Sequence, residues 1–451
     1  MKLTFCGAAK NVTGSNYLLE SGSTKILIDC GLNQGSEFCD DLNYEKFPYE
    51  PEEITAVIIT HAHIDHIGKL PKLVKEGFKG TIYSTYPTRD FAESMLLDTA
   101  HVLFEEAEKK GRPPLYDIRD IEKTMLLWQC RDYHEDLDIG PFSVELYDAG
   151  HVLGSASVLM RVENKKIVFS GDLGNAPAPF LKETEYPQGA DFVLIESAYG
   201  DRLHEHLNER KKLLEETVKR AIGSGGVLMI PAFALERTQE MLFELNELME
   251  KNSLPKVPVF VDSPLAIKLT EVYEKYSENP MYFNDKVIGL IKSGEDIFNF
   301  PGLRMTLTKD ESKAINEVPP PKVVIAGAGM SNGGRILHHE MRYLPDPKST
   351  LLIVGYQSVN SLGRKLLEGE KEISIFGEEI KVKAKVVFIS GYSAHADQKQ
   401  LLKWAASVGK DSKRVFIVQG EENSADALRN KIKTELYLNA EIPSLNETVL
   451  L

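Results

Sequence analysis

No apolar run in the 451 residues approaches the ~20 needed to cross a bilayer, so no membrane-spanning helix is expected. Cysteine is scarce: Cys6, Cys30, Cys39 and Cys130 form no Cys-x-x-Cys pair and no disulfide framework. Reduced thiols and a cytoplasmic setting are therefore expected. Met1 to Gly7 lacks a basic stretch followed by a long apolar one, so no signal peptide is expected. Positive charge is in deficit, since 53 Lys and Arg against 67 Asp and Glu give a net charge of −14. Such a chain is a poor non-specific binder of polyanions. Any nucleic-acid contact must come from a local basic groove or from metal–phosphate contacts. Repeats and low-complexity tracts are missing as well. What remains, 42% hydrophobic and 27% charged residues, is the composition of a globular protein with a large core.

Against this background, residues 61–66 stand out. They read His-Ala-His-Ile-Asp-His, directly after the apolar run Ala56-Val57-Ile58-Ile59-Thr60. A loop at the end of a buried strand can point His61 and His63 at one metal ion, and Asp65 and His66 at a second. An isolated His at a strand end usually shapes a turn or faces solvent. Three imidazoles and a carboxylate in six positions have no such ordinary explanation, and they point to metal-dependent hydrolysis.

The first 60 residues alternate short apolar runs with turns marked by Gly22, Gly31 and Gly35, a β-rich pattern. Leu70–Gly77 and residues 88–110 read as helices. Strands return at Phe142–Tyr147, Ser157–Val162, Ile167–Ser170 and Phe192–Ser197. Character changes near residue 204. Helices at His204–Ile222, Glu236–Lys251, Leu265–Tyr276 and Gly333–Met341 alternate with strands at Val227–Pro231, Val257–Val261 and Lys322–Ala326, which predicts a parallel α/β sheet. Residues 277–321 read as an irregular, Pro-rich connection. Strands at Ile380–Ile389 and Arg414–Val418 flank a helix at Gln398–Trp404. The expected organisation is a β-rich metal domain over 1–203, an inserted α/β domain over 204–375, and the rest of the metal domain over 376–451.

Further candidate residues sit where strands yield to loops. His151 lies in Asp148-Ala149-Gly150-His151-Val152-Leu153-Gly154, Asp172 in Ser170-Gly171-Asp172-Leu173-Gly174, and Asp29 ends the strand before it. Strand ends on one rim of a sheet can converge into a rigid site. Of the eleven histidines, His101, His134, His204, His206, His338 and His339 carry no such context and read as structural or solvent-exposed.

At this point the chain resembles the metallo-β-lactamase superfamily, and in particular its β-CASP ribonuclease branch. The residues that carry the likeness continue through the insert: Ile195-Glu196-Ser197-Ala198-Tyr199-Gly200-Asp201-Arg202, Pro231-Ala232-Phe233-Ala234, Asp262-Ser263-Pro264-Leu265-Ala266, Gly329-Met330-Ser331-Asn332-Gly333-Gly334-Arg335, Gly355-Tyr356-Gln357 with Leu362-Gly363-Arg364, and Tyr392-Ser393-Ala394-His395-Ala396-Asp397. That branch includes the 3′-end-processing endonuclease of pre-mRNA and the RNase J enzymes, and this chain is similar to its minimal, two-lobed form. The resemblance implies an α/β fold, a metallo-β-lactamase αββα sandwich interrupted by a parallel-sheet β-CASP domain. It implies two zinc ions. His61, His63, His151 and Asp172 would hold the first; Asp65, His66 and a bridging Asp172 the second. Asp29 would orient the His loop from outside. Asp65, Glu196 and His395 would be the catalytic residues, with His395 as general acid held near neutrality by Glu196. Ser331, Gly333, Gly334, Arg335, Arg364 and Ser393 would contact RNA phosphates, although for the two arginines an ordinary ion pair is the competing reading. The implied partner is single-stranded RNA, no membrane is implied, and a homo-oligomer is allowed.

One residue departs from the pattern. The family's last strand ends on a histidine that serves the second zinc, and the matching stretch Val415-Phe416-Ile417-Val418-Gln419-Gly420-Glu421 has Gln419 there. A neutral amide is a poor substitute for imidazole at zinc. The leading expectation is a zinc-dependent ribonuclease with a weakened second metal position. The alternatives are a catalytically impaired RNA-binding or scaffolding homologue, and a small-substrate metallo-hydrolase.

Overall fold

The computed structural model describes residues 1–34, 41–251, 253–358 and 360–451, without the side chains of Leu207 and Asn208. Gly35 and Cys39, read above as a turn glycine and a thiol, lie outside these residues. Cys6, Cys30 and Cys130 are free thiols. No helix among the described residues is long and apolar enough to cross a membrane. The chain forms two compact units: residues 1–178, 182–203 and 395–451 make the first, and residues 179–181 and 204–394 the second.

In the first unit two seven-stranded sheets pack face to face. One runs, edge to edge, Thr448–Leu450, Lys2–Phe5, Tyr17–Ser21, Thr24–Ile28, Ala56–Ile58, Thr81–Ser84 and Trp128–Cys130. The other runs Ala440–Glu441, Arg414–Val418, Phe192–Glu196, Lys165–Phe169, Ala156–Val162, Phe142–Asp148 and Leu137–Ile139. Strand periodicity decides the layers, because alternate side chains face opposite ways. Val193, Ile195, Val415 and Ile417 pack against Leu401, Trp404, Ala405, Leu428 and Ile432 of the helices Gln398–Val408 and Glu422–Glu435. From the same strand as Val415 and Ile417, Phe416 meets Phe5 of the opposite sheet, ring centroids 5.1 Å apart. Both faces of these strands are covered, so Phe192–Glu196 is buried along its whole length. On the far side of the first sheet lie the helices Leu70–Lys75, Tyr86–Lys110 and Ile118–Leu126, completing an αββα sandwich.

The second unit is built on a six-stranded parallel sheet: Leu303–Met305, Val259–Asp262, Lys322–Ala326, Val227–Pro231, Thr350–Ile353 and Lys385–Phe388. Its core joins Met229, Val324, Leu351 and Ile353 to Ile336, Leu344 and Leu366.

The compact units depart from the expected boundaries at two places. Residues 376–394, read from the sequence with the returning metal domain, pack in the second unit. Ile380 joins its core, and Lys385–Phe388 pairs with Thr350–Ile353. The single strand expected over Ile380–Ile389 is two, because Glu378–Lys381 instead forms a hairpin with Glu372–Ile375. Pro179–Leu181, read within 1–203, also belongs to the second unit. Phe180 sits among Phe243, Tyr273, Phe283 and Phe298, with ring centroids 5.6–6.1 Å away. The supposedly irregular span 277–321 holds the helices Asp285–Lys292 and Lys309–Ala314 and the edge strand Leu303–Met305.

Candidate metal centre

The strand Ala56–Ile58 delivers Thr60 and His61 to the rim of its sheet, and the four-residue helix Ile64–Ile67 follows at once, carrying Asp65 and His66. The turn at Asp29–Leu32 pins this loop from the side. Cys30 N–H donates to the His66 carbonyl at 2.7 Å, Leu32 N–H to the Ile64 carbonyl at 3.0 Å, and Ser15 N–H to the Asp65 carbonyl at 2.8 Å. The approach is so close that a Cβ on Gly31 would lie 1.5 Å from the Asp65 carbonyl oxygen. Only glycine fits there.

Asp29 orders the cluster. Its carboxylate accepts the Thr60 N–H at 2.8 Å, the Thr60 hydroxyl at 2.9 and 3.0 Å, the Ser15 hydroxyl at 3.1 Å and His66 Nδ1–H at 2.7 Å. With Nδ1 committed, His66 presents Nε2 to Asp172 Oδ1, 3.3 Å away. Asp172 comes from the loop after Lys165–Phe169 and His151 from the loop after Phe142–Asp148. His61 Nε2 and His151 Nε2 lie 3.5 and 3.6 Å from Asp172 Oδ2. His63 Nδ1 lies 2.9 Å from His61 Nε2 and 3.3 Å from His151 Nε2.

The ligating atoms of His61, His63, His151 and Asp172 all fall within 4.8 Å of one another. Three ring nitrogens that face each other so closely cannot all be satisfied by protons, and a shared cation answers all of them. The electrostatics agree. Burial and the neighbouring His66 hold His61 well below its ordinary pKa, so its ring is neutral and its lone pair available. Burial alone would raise Asp172, but His66 and His61 hold its carboxyl well below the usual range, so it is ionised. The donor set fits a divalent metal such as zinc.

Beside this group stands His395, whose Nδ1 lies 3.2 Å from Glu196 Oε1 and 3.8 Å from Asp172 Oδ2. Glu196 is fully buried; burial raises its pKa, while Leu173 N–H at 2.7 Å and Ala198 N–H at 3.3 Å donate to its two oxygens. Burial would lower His395, yet Glu196, with Asp172 and Asp65, raises it to about 9. Three facing carboxylates thus favour its charged form. Burial lifts the Asp65 carboxyl to about 6.

Comparison with known proteins decides what this arrangement is. The metallo-β-lactamase superfamily pattern matches residues 10–231, the β-CASP domain residues 238–366, and the Zn-dependent metallo-hydrolase RNA specificity domain residues 379–443. A ribonuclease of Thermus thermophilus is 38% identical over 95% of this chain and 95% of its own length. The chain belongs to the metallo-β-lactamase superfamily, in its β-CASP branch. The transcription termination factor FttA of Methanosarcina mazei is 32% identical over all of this chain and 72% of its own length, and an RNase J-like protein of Methanocaldococcus jannaschii is 31% identical over 93% and 92%. A crystal structure from Enterococcus faecalis V583, described as a protein of unknown function, has a TM-score of 0.54 at 12% identity over 100% of this chain and 99% of that one, a likeness of fold.

In this β-CASP chain, His61, His63, Asp65, His66, His151, Asp172, Glu196, His395 and Gln419 come together in the first unit, with Asp29 behind them. The residues assigned to phosphate contact lie in the second unit, and most of their polar groups are engaged there. Arg335 donates to Asp262 Oδ1 at 2.8 Å and to the Thr306 and Leu307 carbonyls at 3.0 and 2.9 Å. Ser331 donates to Glu340 at 2.6 Å, and Arg364 pairs at 2.7 Å with Glu368, the residue that ends its helix. Gly334, at φ 73°, shapes the turn by close approach to the Gly327 carbonyl; Gly333 has open space beside it. Sequence reasoning missed Thr60 and Ser15, which saturate Asp29. Thr60 was visible as the polar residue between an apolar strand and the histidines, but Ser15 gave no signal.

Proposed function

We propose that this chain is a zinc-dependent ribonuclease acting on single-stranded RNA in the cytoplasm. The observation that carries the reading is the set of three imidazole nitrogens and one carboxylate within 4.8 Å of one another, at the strand ends of a β-CASP chain. His61, His63, His151 and Asp172 would hold the zinc. When bound, the metal supplies Lewis acidity to the scissile phosphate and lowers the pKa of attacking water.

The protein's own groups do the rest. Glu196 accepts from His395 Nδ1, which leaves Nε2 as the nitrogen that delivers a proton to the departing ribose oxygen. The two backbone N–H donors to Glu196 keep that carboxylate turned toward the imidazole. Asp29 holds the His66 ring and the strand end that carries His61. Arg335 and Arg364, partly exposed, are the proposed contacts to RNA phosphates, with Ser393, two residues before His395.

The test is incubation of zinc-loaded protein with end-labelled single-stranded RNA. Cleavage that disappears on chelation and returns with zinc supports the reading. Turnover of a thioester or lactone with intact RNA would replace it with a small-substrate hydrolase. RNA binding without cleavage would replace it with a scaffold.

A further inference from the structure

Gln419 sits where the strand Arg414–Val418 meets the metal-ligand cluster, 3% exposed. Its backbone is in the left-handed region at φ 49°, an uncommon conformation for a residue with a Cβ. Two contacts hold it there: its N–H donates to the Ala8 carbonyl at 2.9 Å, and its carbonyl accepts from Ser197 N–H at 3.3 Å. The following Gly420 has no room for a Cβ, which would lie 2.1 Å from Ser197 Oγ. The side chain is therefore aimed by a fixed main chain. Its amide nitrogen lies 2.6 Å from Asp172 Oδ1 and 3.1 Å from His66 Nε2.

An amide nitrogen brings two protons and no usable lone pair. One proton goes to Asp172 Oδ1, the oxygen that faces His66 rather than the His61 and His151 side. At His66 Nε2 a proton stands in the way in either state of the ring. When the imidazole is neutral, the proton is the amide's second one. When it is charged, the proton is its own, directed at Asp172 Oδ1. With no cation between them, the reversed amide would put its oxygen 2.6 Å from a carboxylate oxygen with no proton to share, an arrangement that two acceptors avoid. So the lone pairs that a second cation would need, on Asp172 Oδ1 and His66 Nε2, already face proton donors. The four atoms of the first group are untouched.

We infer that Gln419 takes the place of the second metal ion, and that this chain works with one tightly bound zinc. The inference rests on the proposed first zinc site and not on RNA cleavage. The amide donates where a cation would accept. It bridges Asp172 and His66, and holds the shared carboxylate in position for the first zinc. Asp65 is left without a metal partner.

Zinc titration of chelator-stripped protein, read by native mass spectrometry and by competition with a chromogenic chelator, tests this directly. One tight zinc per chain is expected, with any second ion weaker by about 100-fold or more, at or beyond the usual cost of losing a metal site's supporting partner. Gln419→His should bind two. Asp65→Asn should leave the wild-type count at one but return Gln419→His from two to one. X-ray absorption of the zinc-loaded wild type should lack zinc–zinc scattering. Two tight zinc ions in the wild type overturn the inference, as does a count of one in folded Gln419→His. If that variant does not fold, the wild-type count decides alone. One zinc with no RNA cleavage leaves the inference standing and removes the proposed function; two zinc ions with cleavage do the reverse.

Discussion

Asp172 and Asp262 occupy comparable places in the two units. Each lies at or just beyond the end of a sheet strand, each is buried, and each is held below the usual carboxylate range. Their surroundings differ in kind. Asp262 is met by four proton donors: Thr306 and Ser312 hydroxyls at 2.8 and 2.7 Å, Arg335 at 2.8 Å and His339 at 2.8 Å. Both of its oxygens are thus met by donors from the protein itself, which marks a structural node. Asp172 is met by the Gln419 amide on Oδ1 and, on Oδ2, by imidazoles whose nitrogens also face one another. Buried polar groups that cannot all be paired are costly unless something else completes them. Burial and charge alone would rank the two sites together; the count of donors against acceptors separates a node that stabilises the fold from one that awaits a cation.

The largest effect should come from Asp172→Asn. It removes the one anion shared by the metal ligands, so tight zinc binding and RNA cleavage should both fall to background. Zinc retained at wild-type affinity would mean that the histidines suffice, and the contrast with Asp262 would lose its meaning. Next is His395→Ala, expected to lower the cleavage rate by about 10²–10⁴-fold, the usual contribution of a general acid. The zinc count should stay unchanged, since His395 stands outside the tetrad. A loss of zinc would assign it to the metal instead.

Asp262→Ala probes the other node. It leaves the Arg335 charge and His339 without their buried partner and should destabilise the second unit by about 3 kcal/mol, near the low end for breaking such a pair because Arg335 is partly exposed. Zinc affinity should not change. The same carboxylate sets a pH dependence. Burial alone would raise its pKa, but the bonds from His339, Arg335, Ser312 and Thr306 depress it in the folded state. Its contribution is therefore complete above the unfolded value of about 3.9 and is lost as pH falls through the depressed one. Acid melts of wild type and Asp262→Ala should differ at pH 6 and converge toward pH 2. A constant gap would show that packing, not ionisation, is what Asp262 supplies.

Much of the metal site was legible because its chemistry is dense and local. His61, His63, Asp65 and His66 announce themselves in six positions, and the glycine-flanked His151 and Asp172 follow the same strand-end logic. Less legible were features that depend on distant partners. Arg335 in a glycine-rich turn reads as a phosphate ligand, and nothing in the sequence shows that Asp262 also lies against it. The strands Glu378–Lys381 and Lys385–Phe388 look like a return to the first domain, because β-pattern alone does not say which sheet a strand joins. Other misses were avoidable. Asn284 caps the helix Asp285–Lys292, and Thr308 with Glu311 forms a capping box on Lys309–Ala314. Both are readable start signals inside a span dismissed as irregular.

The smallest expected effect concerns Asp29, which joins the two sides of the comparison. Like Asp262 it is saturated by donors, yet it stands behind the metal group like a part of it. Asp29→Asn keeps the shape but exchanges one acceptor oxygen for an NH₂. If the NH₂ replaces Oδ2, it confronts His66 Nδ1–H and the Ser15 hydroxyl; if it replaces Oδ1, it confronts Thr60 N–H. Either way at least one donor near the His loop is orphaned, and either His66 or the backbone before His61 loses part of its support. Outer partners of this type typically contribute 10–100-fold to metal affinity, so a loss in that range is expected by chelator competition, with the zinc count unchanged. A loss equal to that of Asp172→Asn would make Asp29 a ligand rather than a support. No loss would mean that the backbone bonds from Cys30, Leu32 and Ser15, with the close approach at Gly31, hold the histidine loop without the carboxylate.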